Sequence, residues 1–260
     1  MHKTDNKKID LKRRFRGVEN LYGETAIDCF MQAHVLVIGI GGVGSWVVEA
    51  LARNAVGKLT LIDMDVVSES NINRQLPALS STIGKNKIDV MAERVNDINP
   101  QCEVHLIDNF AREDNLAEII DTSADFVIDC IDNSRVKAAL IAWCKRQKVK
   151  VVTVGGAGGK LDHTLIKIAD LSRTEHDPLL SKTRKLLRQN YGFSKNIKRR
   201  FSVPCVYSTE HLKRSKTAPV GKNLSCGGGL GSSVMVTSSF GFVAVSLVLK
   251  KLLNNNDRFS

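Results

Sequence analysis

The stretch that most limits what this chain can fold into runs from His34 to Asp65, HVLVIGIGGVGSWVVEALARNAVGKLTLIDMD. Residues 35–38 form an apolar run of the kind buried on both faces of a parallel sheet. They enter Gly39-Ile40-Gly41-Gly42-Val43-Gly44, after which Val43, Val47 and Leu51 recur at helical spacing. A second apolar run, residues 59–62, ends on Asp63 and Asp65. Glycines without a Cβ let phosphate oxygens approach the backbone, a helix N-terminus offers unpaired N–H groups, and a carboxylate past the second strand can hold ribose hydroxyls. The pattern therefore predicts a nucleotide site built from Gly39, Gly41, Gly42, Gly44, Asp63 and Asp65. It does not say which nucleotide, and a glycine turn can also serve only to pack a helix on a strand.

Downstream, a polar loop carrying Asn71, Asn73, Arg74 and Gln75 precedes Gly84-Lys85-Asn86-Lys87, which opens a helix over residues 88–98 before Pro100. Arg74 and Lys87 are expected to meet near the glycine turn. A dehydrogenase can leave a pyrophosphate on backbone amides, whereas ATP cleavage requires cations that neutralise charge developing on a triphosphate. The alternation then continues with strand 103–107, helix 115–121, strand 126–128, helix 134–147 and strand 151–154. This implies an α/β fold with a doubly wound, Rossmann-like parallel sheet whose strand ends share one edge. At that edge stands Asp129-Cys130-Ile131-Asp132-Asn133. Asp132 is placed to bind Mg²⁺ bridging phosphates, Asn133 to cap the next helix, and a carboxylate there can equally be only a cap.

Three segments follow: a basic N-terminal arm over 1–17, a nucleotide-binding domain over 18–170 and a basic C-terminal extension over 171–260. The arm carries Arg14 and Arg16 and reads either as a mobile tail or as a limb reaching a phosphate. Residues 19–33 read as one amphipathic helix, and Gly155 to Gly159 as a backbone crossing before a strand-like run over 164–168. Between 182 and 222 twelve Lys and Arg interleave with Tyr191, Phe193, Phe201 and Tyr207, which suits an RNA backbone with unstacked bases or, for any single residue, an ordinary solvated face over core aromatics. Cys226 beside three glycines before a terminal helix suits a nucleophile of lowered pKa, although inert cysteines are commoner.

The excess of 38 Lys and Arg over 27 Asp and Glu, a net charge of +11, favours a polyanionic partner over small acids. Six cysteines without a Cys-x-x-Cys pair, and no apolar leader before residue 30, indicate a reducing cytoplasmic compartment and no structural zinc. Residues 234–253 are apolar enough to be weighed as a membrane span, but interspersed Ser, Thr and Gly favour a buried helix, with no obligatory membrane.

GIGGVGSW, LIDMD, SNINRQ, the Gly-x-x-Lys of 84–87 and DCIDN, in this order, resemble the ubiquitin-activating-enzyme-like (E1-like, ThiF/MoeB) superfamily. LYGE at 21–24, GGAGG, DPL at 177–179, CVYSTE at 205–210 and the glycine-flanked Cys226 are similar to its tRNA threonylcarbamoyladenosine dehydratase branch, from about Arg14 to Lys251. The resemblance implies ATP and Mg²⁺ as cofactors, with Gly41 on the nucleotide, Asp63 on the ribose, Asn71, Arg74 and Lys87 on phosphates and Asp132 on the metal. It implies a homodimer in which Arg14 or Arg16 reaches the partner's triphosphate, and a cysteine desulfurase or sulfur-acceptor partner. The substrate it implies is tRNA carrying threonylcarbamoyladenosine, dehydrated to a cyclic hydantoin through an adenylated carboxylate, with Cys226 either forming a thioester or shaping its loop. The alternative is an adenylating enzyme for a sulfur-carrier or ubiquitin-like protein, whose relatives usually carry Cys-x-x-Cys zinc pairs that this sequence lacks. A binding module without catalysis and an NAD oxidoreductase are the readings from other classes.

Overall fold

The structure is a computed structural model, and it describes residues 9–213 and 230–254. Its elements in chain order are α1 (Leu11–Tyr22), α2 (Glu24–Gln32), β1 (His34–Ile38), α3 (Gly44–Arg53), β2 (Lys58–Ile62), α4 (Lys87–Ile98), β3 (Glu103–Ile107), α5 (Leu116–Ile119), β4 (Phe126–Asp129), α6 (Ser134–Gln147), β5 (Val151–Val154), β6 (Ile166–Asp170), α7 (Pro178–Asn190), β7 (Pro204–Ser208) and α8 (Val234–Leu253). The seven strands lie in the order β3-β2-β1-β4-β5-β7-β6. All neighbours are parallel except β6 and β7, which run antiparallel.

Alternation along β1 explains the three layers. Val35 and Val37 point into one core with α2, α3, α4 and α8, whereas Leu36 and Ile38 point into the other with α5, α6 and α7. Every residue of β1 is buried, as expected of a strand covered on both faces. The chain beyond residue 170 supplies β7 to the same sheet and α8 to the same core as α3. Along α8, Val236, Phe240, Ala244 and Val248 recur every four residues and have no exposed surface. The helix long enough to be weighed as a span is thus packed along one face against the protein's interior.

The amphipathic run over 19–33 is broken. Gly23 has φ +98° and separates α1 from α2, and Phe15 of α1 is buried against Ile27 and Ala55. Residues 11–16 of the basic arm are therefore the first turns of a docked helix. Asp10 caps it through a hydrogen bond from the Arg13 amide at 3.0 Å.

Candidate active site

The strand order reverses between β1 and β4, so the loops after these two strands open a crevice at the carboxyl edge of the sheet. Gly39 leaves β1 with φ +88°, and a Cβ there would lie 3.1 Å from the carbonyl oxygen of Cys130 in the loop after β4. A Cβ on Gly44 would fall 1.8 Å from the Gly39 carbonyl oxygen. These two glycines let the turn fold back on itself beneath the β4 loop. A Cβ at Gly41 would meet nothing within 4 Å, leaving open space on the outer side of the turn.

Asp63 braces this turn from β2. Its Oδ2 accepts the Ile40 amide at 2.5 Å and its Oδ1 accepts the Asp65 amide at 2.8 Å. Burial raises its pKa, against these two bonds and the nearby Lys87 ammonium. Lys87, at the first position of α4, donates from Nζ to Asp65 Oδ2 at 2.7 Å, and its side chain is only 5% exposed. The amine expected near the glycine turn is therefore fixed there through Asp65, with two further N–H donors.

Arg74 approaches from the other side. A Cβ on Gly42 would lie 3.5 Å from Arg74 Cγ, so the arginine stem lies across the glycine turn. Its Nη1 donates to the Ser70 carbonyl at 2.5 Å and to Asn73 Oδ1 at 3.0 Å, which leaves Nε and Nη2 without an acceptor among the described residues. The Arg74 carbonyl in turn accepts Trp46 Nε1 of α3 at 3.0 Å. Asn71 closes a capping box, its Oδ1 accepting the Ser68 amide at 3.1 Å, and its carbonyl accepts the amides of Arg74 and Gln75. Gln75 Oε1 is buried with no hydrogen-bond partner among the described residues. A cleft of about 440 Å³ adjoins this loop, lined by Glu69, Ser70, Ile72, Asn73, Arg74 and residues 230–232.

Beneath the β4 loop lies a buried network that sequence reasoning missed. Lys137 of α6 donates to Asp129 Oδ2 at 2.8 Å, and both side chains have no exposed surface. The Thr153 hydroxyl donates to the same oxygen at 2.6 Å, and Asp129 Oδ1 accepts the Ile131 amide at 3.1 Å. Lysines inside an amphipathic helical pattern normally face water, so only the adjacent Asp129 hinted at a partner. Asp132, three residues on, is exposed and has no partner among the described residues, and Asn133 caps α6 at the Arg135 amide. Among the described residues no group of three carboxylate, His or Cys side chains could hold a metal. An exposed carboxylate such as Asp132 is of the donor type that Mg²⁺ takes alongside phosphate oxygens.

Arg14 is not brought to this crevice within one chain. Its Nη1 donates to the carbonyls of Asp97 and Ile98 at 2.6 and 2.9 Å, at the end of α4 opposite Lys87. Arg16 is exposed and has no partner among the described residues. Cys226 lies outside the described residues. The interleaved aromatics of the extension face inward: Phe201 and Tyr207 are buried, Phe193 packs edge-on against Phe201 with centroids 5.0 Å apart, and the Tyr191 hydroxyl reaches Glu113. They belong to the core behind α6 and α7.

The ThiF family model matches residues 14–259. The tRNA threonylcarbamoyladenosine dehydratase of Haemophilus influenzae is 52% identical over 245 residues, covering 93% of this chain and 94% of the relative. The chain belongs to the ThiF family, in its tRNA threonylcarbamoyladenosine dehydratase branch. Among solved ThiF-family relatives, the Escherichia coli tRNA N6-threonylcarbamoyladenosine dehydratase in complex with ATP superposes with a TM-score of 0.88 at 47% identity, over 96% of this chain and 97% of that one. The same enzyme in complex with AMP gives 0.87 at 48% identity, over 95% and 96%.

Proposed function

We propose that this chain catalyses the ATP-dependent dehydration of threonylcarbamoyladenosine in tRNA to its cyclic hydantoin form. The observation that carries the reading is Arg74 and Lys87 flanking one glycine turn, in a chain whose dehydratase relatives match it end to end and are known bound to ATP and to AMP. The threonyl carboxylate attacks the α-phosphorus of ATP, the bond to the β-phosphate oxygen breaks and pyrophosphate leaves. The free donors of Arg74 and Lys87 stabilise that departing charge. Mg²⁺, held by Asp132 and phosphate oxygens, would add charge neutralisation at the same place. The ureido nitrogen then attacks the acyl carbonyl, loses its proton and expels AMP. Ring closure is intramolecular, so orientation supplies most of what it requires.

Gly41 leaves space for the nucleotide, and the remaining lone pairs of Asp63 suit ribose hydroxyls. Asn71 and Gln75 are on this reading part of the phosphate-binding loop, the Asn71 carbonyl holding the amides of Arg74 and Gln75. In a homodimer the arm would present Arg14 or Arg16 across the two-fold axis; Arg14 is hydrogen-bonded to the end of α4, and Arg16 is exposed with no partner among the described residues. The basic arm, domain and extension are three functional segments on this reading, the protein works in the cytoplasm beside tRNA and ATP, and a sulfur-handling partner rests on family resemblance alone. Cys226 keeps either role, thioester or loop. The absence of any Cys-x-x-Cys pair argues against the sulfur-carrier alternative.

The test is incubation with ATP, Mg²⁺ and tRNA carrying the modified adenosine, followed by digestion and mass spectrometry of the nucleosides. Loss of one water with stoichiometric AMP is the expected result. AMP formation with the nucleoside unchanged would overturn the reading.

A further inference from the structure

With the aromatics of 191–207 turned into the core, a ring surface for RNA has to come from elsewhere. Two exposed imidazoles supply one: His176 and His211 lie with ring centroids 3.9 Å apart and planes inclined by 44°. They come from separate loops, one leading into α7 and one following β7. Lys160 ties the loops together. It is 2% exposed, and its Nζ donates to the His176 carbonyl at 3.1 Å and to the carbonyl of Glu210, the residue before His211. Burial lowers the Lys160 pKa, against the carboxylates of Asp177 and Glu210. His176 also has φ +52°, a left-handed conformation costly for a residue with a Cβ. A buried ammonium and a strained backbone are both maintained where the two rings meet, and such strain gathers at functional sites.

The pair also has a defined address. The amide of Lys213, two residues past His211, donates to the Gly159 carbonyl at 2.8 Å, and the Gly159 amide donates to Gly231 at 2.7 Å. The neighbouring Ser232 carbonyl accepts Asn73 Nδ2 at 2.8 Å, and Asn73 precedes Arg74. Three hydrogen bonds thus lead from the rings to the wall of the Arg74 cleft. The Lys213 side chain, 62% exposed and 3.3 Å from Glu210, adds a cation beside them.

We propose that the His176–His211 pair is a stacking platform for an unpaired base of the RNA substrate, flanking the cleft in which the carboxylate is activated. The inference rests on the RNA reading given above. Unpaired bases stack on aromatic side chains, histidine included, and the fit is sequence-tolerant because every base has a π-face.

The test uses the full-length protein and three forms: wild type, His176→Asn/His211→Ala and His211→Phe. Asparagine tolerates the left-handed backbone at 176, so the double variant removes the rings and not the loop. Steady-state cyclisation should show a KM for tRNA raised by about tenfold or more in the double variant. Its KM for ATP should be unchanged, and His211→Phe should stay near wild type because it keeps a ring face. An unchanged tRNA KM in the double variant, or a phenylalanine variant as impaired as the double, overturns the platform; the first outcome leaves the ring pair to some other partner. If wild type forms no cyclic product, the activity reading fails instead, and filter retention of tRNA by the same three forms then decides the platform separately.

Discussion

Replacing Lys137 by methionine keeps an unbranched side chain one atom shorter and removes the cation that faces Asp129. The carboxylate would keep the Thr153 hydroxyl and the Ile131 amide but stay buried without an opposite charge, since both members of the pair have no exposed surface. Removing one member of such a pair costs about 3–5 kcal/mol, because the survivor is desolvated and unpaired. At about 2–4 °C per kcal/mol for a chain of this size, the melting midpoint should fall by about 6–20 °C. Removing both charges, with Asp129→Asn and Lys137→Met together, should recover most of that loss, since a neutral pair of similar volume is often tolerated. Thermal melts followed by circular dichroism in nucleotide-free buffer give both numbers. A single variant that loses less than about 1 kcal/mol, or a double variant as unstable as the single, would refute the charge argument. The second result would mean that packing of the lysine stem is what counts.

Arg74→Ala should reduce AMP formation by about 10²–10³-fold with little change in melting, which single-turnover assays would show. Gly44→Ala should abolish ATP binding, measured by calorimetry, since its Cβ would sit 1.8 Å from the Gly39 carbonyl oxygen. The carboxyl of Glu49 is opposed by burial yet held below its ordinary pKa by hydrogen bonds from Arg94 and Arg53. A depressed folded-state pKa contributes stability above the unfolded value of 4.5 that is lost as pH falls through the folded one. Glu49→Gln should therefore flatten the stability profile on the acid side of that value, as denaturant titrations at stepped pH would show; an unaltered acid limb would count against it.

Much of this architecture was legible because buried parallel strands and glycine turns leave strong local marks. The helix over 134–147 and the strands at 103–107 and 151–154 coincide with α6, β3 and β5. The expected approach of Arg74 to the glycine turn is seen in its stem lying against Gly42, and Lys87 is held by Asp65 just past β2. Other features depended on contacts far along the chain. β7 was hidden in a stretch whose basic and aromatic residues drew attention to RNA, although Cys205 and Tyr207 are core residues. α7 carries a local start mark in Asp177-Pro178, an N-cap followed by a first-turn proline. The helix over 115–121 shrinks to Leu116–Ile119, and the strand-like run at 164–168 shifts to Ile166–Asp170, because a short helical turn occupies His163–Leu165. Lys137 and the His176–His211 contact could not be read at all, since each needs a partner brought in by the fold.

The Thr237 hydroxyl oxygen of α8 lies 3.4 Å from the Arg74 carbonyl oxygen, and Phe242 meets Trp46 edge-on with centroids 5.9 Å apart. A helix 163 residues further along the chain thus stands behind this loop. A chain without α8 would lose this contact together with the apolar face that Val236, Phe240, Ala244 and Val248 press into the core beside α3.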